Sequence, residues 1–193
     1  MLPLLLAWGN RMGLRFEDLD DQTRRFMVEE IEMDAKADRL YLSPWLSQTG
    51  QGDWSEILVE AARSGNDDTL ASSIRLRGRL NRTAQRKAPK GFGTVTYRIP
   101  DTAPTTMAEG EFNRFYVRAL CRRAIAEGIP RLEVYRAKAV ADPRPDSQYK
   151  IGLLMDPEVV LTDARVSIGV ETALGMPAGP NSGLTLRIPK DRR

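Results

Sequence analysis

Seven cations, Arg75, Arg77, Arg79, Arg82, Arg86, Lys87 and Lys90, fall within sixteen consecutive residues that contain no acid. A second set, Arg114, Arg118 and Arg122, recurs at every fourth position further along. Guanidinium groups bind carboxylates and phosphates through paired hydrogen bonds, so both sets point to an anionic counterpart. A folded surface ordinarily interleaves the two signs of charge. An unmixed stretch must therefore project into solvent or be neutralised by something else.

Two counterparts suit the first set. Nucleic acid is one, and binding through six to ten phosphates would give a steep salt dependence. The other lies in the chain itself: residues 1–68 carry seven basic and fourteen acidic side chains, a balance of −7, whereas 69–100 carry eight basic and no acidic ones. A basic arm laid on the acidic helices of a second copy makes a heterologous contact, the kind that builds rings or extended lattices. The plain alternative is a flexible solvated loop without a partner. Phe92 is the only aromatic residue between Trp54 and Tyr97, which favours neutralisation of phosphate or carboxylate over stacking of bases.

The elements that must carry these residues follow from periodicity. "FEDLDDQTRRFMVEEIEMDAKADRL" predicts a helix with Leu19, Phe26, Met27 and Ile31 inward and Asp18 or Asp20 at its N-cap. In "GDWSEILVEAARSG", Asp53 and Glu56 have capping-box spacing and Gly65 is a stop. "DDTLASSIRL" predicts a short third helix after Asn66. The two helices joined by a glycine turn have helix-turn-helix order, but Asp67 and Asp68 would stand where a recognition helix meets DNA.

"LRGRLNRTAQRKAP" lacks apolar periodicity and predicts a loop or extended arm, followed by a strand in "GTVTYRIP". The segment 106–127 predicts a long helix, capped by Thr105 or Thr106, on which Ala108, Phe112, Phe115, Tyr116, Ala119 and Ala126 cluster. Val117, Leu120 and Ala124 widen that apolar arc to about 200° at 100° per residue, so the helix should be central and contacted from several directions. The remaining strip holds Arg114, Arg118 and Arg122 with Glu111, either solvated with a Glu111–Arg114 pair or facing an anionic partner. "RLEVYRAKAV" and "LTLRIP" predict strands, "ADPRPDSQ" a loop, and "MDPEVVLTDAR" a helix started by Asp156, Pro157 and Glu158.

The expected fold is α+β: a helical, acidic region over 1–76, a basic arm and strand over 77–105, and an α+β core over 106–193 with a small sheet on the central helix, all one domain. The apolar opening "MLPLLLAW" lacks the cationic start and cleavage site of a secretory signal and is expected to pack on the domain or a neighbour. No run approaches the roughly 20 apolar residues that span a bilayer, so no membrane partner is expected.

Several chemistries lack their residues. The chain has no histidine and one cysteine, Cys121, which rules out a tetrahedral zinc set and the commonest general base. Cys121 is expected to be a reduced thiol. No G-x-S-x-G, Walker-type or dinucleotide-binding loop occurs, and "KGFG" is expected to be a turn. Glu29, Glu30, Glu32 and Asp34 are expected to form a solvated face. Glu133 and Lys138, with Asp142 and Asp146 nearby, only loosely fit a metal-dependent nuclease.

The composition thus implies no cofactor. It fits a non-enzymatic structural or assembly protein that self-associates, of the kind found in a bacteriophage-like particle, located in the cytoplasm or a virion-like particle. Its expected partners are further copies of itself, with DNA or RNA as packaged polyanion. A nucleic-acid-binding regulator is the first alternative and a nuclease-like enzyme the second.

Overall fold

The computed structural model describes residues 13–88, 91, 93–177, 179 and 182–190. The opening apolar run, Lys90 and Phe92 lie outside the described residues. Among these residues the order is α1 (Asp21–Lys36), α2 (Gln48–Ser64), α3 (Asp67–Ile74), β1 (Thr83–Lys87), β2 (Thr94–Arg98), α4 (Ala103–Glu127), β3 (Leu132–Arg136), α5 (Pro145–Tyr149), β4 (Leu154–Met155), α6 (Pro157–Val166) and β5 (Leu184–Arg187). The fold is α+β, with α1, α3 and α6 packed around α4 and a three-stranded antiparallel sheet, ordered β4-β3-β5, set against it.

α4 is central because almost every residue from Ala103 to Cys121 is buried, whatever its polarity. Phe112, Phe115, Tyr116, Val117 and Leu120 fill the space between the helical layer and the sheet. Tyr116 ties the layers together: its hydroxyl donates to the Leu186 carbonyl at 3.2 Å and accepts from the Asp18 amide at 3.3 Å. Asn113 does the same beside it, donating to the Leu184 carbonyl and accepting from Thr185 Oγ1. Ala126, expected on the inner face, is exposed where α4 runs past the core. α4 begins at Ala103 with Pro104 in its first turn; Thr102 precedes it without a side-chain cap, so neither Thr105 nor Thr106 starts the helix.

Local signals place most other boundaries. Asp20 Oδ1 accepts from the Thr23 amide and starts α1. Asn66 and Thr69 exchange bonds in a capping box at α3, and Asp156 accepts from the amides of Glu158 and Val159 at α6. α2 is the exception. It starts at Gln48, capped by Ser47, and runs through Gly50 and Gly52, so Asp53 is an interior residue. A tertiary contact overrides the local signal here: the Ser47 amide donates to the Arg79 carbonyl at 3.0 Å, and a β-carbon at Gly50 would overlap that same carbonyl.

The segment expected as a loop or arm is half of a β-hairpin. β1 pairs antiparallel with β2 from Thr83↔Arg98 to Lys87↔Thr94. Ala84, Tyr97, Ile99 and Ala103 pack with Trp45 to anchor its base, while most other strand residues are exposed. The strand lacks apolar periodicity because only its foot meets the domain. β4 and α5 were not expected; they interrupt and follow the loop after β3.

Candidate functional site: the basic hairpin and the arginine ladder

The two cationic sets have opposite fates. The ladder on α4 is internal. Arg118 is 1% exposed, and its Nε donates to Glu30 Oε2 at 2.7 Å and its Nη1 to Asp34 Oδ2 at 2.5 Å. Arg122 reaches Glu29 at 2.8 Å and Glu30 at 3.5 Å, and its guanidinium lies 4.7 Å from the centre of the Phe26 ring. Arg165 of α6 closes the cluster with bonds of 2.5 and 3.1 Å to the two Glu30 oxygens. Burial alone would raise the Glu30 carboxyl, but hydrogen bonds and charge from Arg165 and Arg118 hold it below its ordinary value.

This corrects two expectations. The ladder is neither a solvated strip nor available to an external polyanion at Arg118, because its counter-charges are on α1 of the same chain. Likewise Glu30 and Asp34 are buried, so of the four acids expected to form a solvated face only Glu29 and Glu32 are exposed. The signal for this was present. Thr23, Met27, Glu30 and Asp34 share the buried stripe of α1, so two acids stood at inward positions and required cations. Arg165 left no such signal, since it meets Glu30 across 135 residues. Arg114 is also buried, and its one ion-pair partner among the described residues is Glu111, at 3.9 Å.

Several cations of the first set remain outward. Arg77, Arg82 and Lys87 are exposed and have no acidic partner among the described residues. Arg86 is exposed, with its guanidinium 5.5 Å from the Tyr97 ring centre across the hairpin. Arg75 is exposed and donates to Thr105 Oγ1 at 2.6 Å. Arg79 is the internal member: its Nε bonds Asp53 Oδ2 at 2.8 Å and its Nη1 the Ser73 carbonyl at 2.8 Å. Arg98, opposite Thr83 on β2, adds a further exposed cation, 3.7 Å from an equally exposed Asp101.

The helix-turn-helix arrangement has no free recognition end. Asp67 is 2% exposed and its Oδ2 accepts the Leu14 amide at 2.8 Å. Glu133 is held by Arg187 at 2.7 and 3.1 Å, while Lys138 pairs with Glu109, so the two candidate nuclease residues bind different partners. No cluster of three metal-ligating side chains occurs among the described residues, and no helix there is long and apolar enough to cross a membrane. Cys121 is free and buried, and burial pushes its thiol up. Compared with known proteins, the chain matches no family model, no curated protein and no solved structure.

Proposed function

We propose that this is a non-enzymatic assembly protein, of the kind that builds a bacteriophage-like particle, whose basic hairpin engages neighbouring copies or packaged nucleic acid. One observation carries the proposal: a two-stranded hairpin projects from the domain with cations that the domain does not neutralise. An isolated hairpin is marginal in water, and its two outer edges are unpaired among the described residues, so a partner surface would stabilise it. The inner acids of α1 are already matched by α4 and α6. The receiving anions on a neighbour are therefore outer ones, such as Glu56 and Glu60, exposed one turn apart on α2.

The test is mass in solution as a function of salt, with and without DNA. Large assemblies that dissociate as salt rises, without nucleic acid, are expected. Replacing Arg82, Arg86 and Lys87 together with glutamine should abolish them, since exposed charge contacts are screened over about 10 Å at 0.1 M salt. Unchanged assembly and unchanged DNA binding in that variant would discard the role of the hairpin. A small, salt-insensitive oligomer that binds DNA with sequence preference would favour the regulator instead.

A further inference from the structure

A cavity of about 370 Å³ lies between the foot of the hairpin, α2 and α4, within the size range of small-ligand sites. Four aromatic side chains line it: Tyr41, Trp45 and Trp54, which fall within one stretch of fourteen residues, and Tyr97 from β2. Two of them are fixed to each other, since Trp45 Nε1 donates to the Tyr97 hydroxyl at 2.8 Å. The Tyr41 ring packs against Gly169, where a β-carbon would collide with it.

Three side chains of this cavity make no hydrogen bond among the described residues. Trp54 is 1% exposed, and its indole N–H makes no hydrogen bond among the described residues. Glu111 and Arg114 are each 8% exposed, and among the described residues their one contact as an ion pair is with each other, at 3.9 Å, beyond hydrogen-bond length. Burial pushes the Glu111 carboxyl above its ordinary value, against the pull of the Arg114 and Arg118 charges. Gly110, one position before Glu111 on α4, also lines the cavity, and a β-carbon there would meet nothing within 4 Å.

We propose that this cavity binds a guanine-type base, stacked between the aromatic walls with its hydrogen-bonding edge on Glu111 and Arg114. A carboxylate beside a guanidinium on one helix face presents two acceptors and then donors. Guanine presents the complement along one edge, two adjacent N–H donors followed by a carbonyl oxygen, and guanidinium is the common partner of that carbonyl. Adenine and uracil lack the paired donors. Aromatic side chains supply the stacking that a base taken out of a strand requires. The Trp54 N–H is a further donor for a ring nitrogen or carbonyl. This inference does not depend on the role of the hairpin cations.

The experiment titrates the full chain with guanosine, adenosine and uridine by calorimetry and by quenching of tryptophan fluorescence. Guanosine is expected to bind about tenfold or more tightly than the other two. Gly110→Leu should weaken guanosine by about tenfold or more without lowering the unfolding midpoint, because its side chain enters open space and leucine favours a helix interior over glycine. Glu111→Gln should remove the preference for guanosine. Guanosine monophosphate and a short single strand ending in guanine distinguish the source: tighter binding of the strand assigns a base of a nucleic acid, equal binding a free nucleotide. No guanosine binding up to about 5 mM, equal binding of all three nucleosides, or binding untouched by Gly110→Leu overturns the proposal.

Discussion

Glu30→Ala and Arg118→Met remove opposite ends of one buried ion cluster, and they should not cost the same. Arg118→Met leaves Glu30 bonded twice to Arg165 and near Arg122, and leaves Asp34 with Arg39 at 3.2 Å. The methionine also retains most of the buried stem, so the loss should be about 1–3 kcal/mol. Glu30→Ala removes the one anion shared by Arg118, Arg122 and Arg165, and Arg118, at 1% exposure, keeps only Asp34. Breaking a buried pair in this way costs about 3–5 kcal/mol. At about 2–4 °C per kcal/mol for a chain of this size, the midpoint should fall by about 6–20 °C. Thermal and urea unfolding at neutral pH, followed by tryptophan fluorescence, measure both variants. The reasoning fails if Glu30→Ala costs under about 1 kcal/mol, or if Arg118→Met proves the more damaging. The same carboxyl predicts acid lability. Its folded pKa lies below the ordinary 4.5, so its contribution is present above that pH and disappears as pH falls through the folded value. Glu30→Gln should flatten that limb of the stability curve.

Other outcomes follow from single sites. Burial raises the Asp67 carboxyl from 3.8 to about 6, so the folded state holds its proton longer than the unfolded chain, and stability should fall as pH rises across that window. Asp67→Asn should recover up to about 3 kcal/mol at neutral pH, and a stability curve identical in both proteins would refute it. Tyr116→Ala should cost about 3–5 kcal/mol, since a ring of zero exposure and its bond to the Leu186 carbonyl are both lost. A denaturant-derived loss under about 1 kcal/mol would show that α4 is not the hub. Cys121 should react with thiol reagents only after unfolding, because burial disfavours its thiolate; rapid modification of the native protein would contradict that.

Local chemistry alone determined a good part of this protein. The caps at Asp20, Asn66 and Asp156 and the stop at Gly65 act within four residues, and the apolar arc of α4 already required neighbours on several sides. The charge totals of residues 1–68 and 69–100 were equally plain, yet they did not say which cations would stay outside. That depended on tertiary structure. The acids of α1 and the arginines of α4 and α6 meet across 84 to 135 residues, so the inward register of Glu30 and Asp34 signals a need for cations while no local window shows which arginines meet it. The start of α2 was decided by the carbonyl of Arg79, 32 residues away from the serine that meets it. The aromatic cavity is the clearest case. Three of its four rings fall within fourteen residues, but only packing brings Tyr97 of the hairpin, Glu111 and Arg114 of α4, and residues 169–172 onto them.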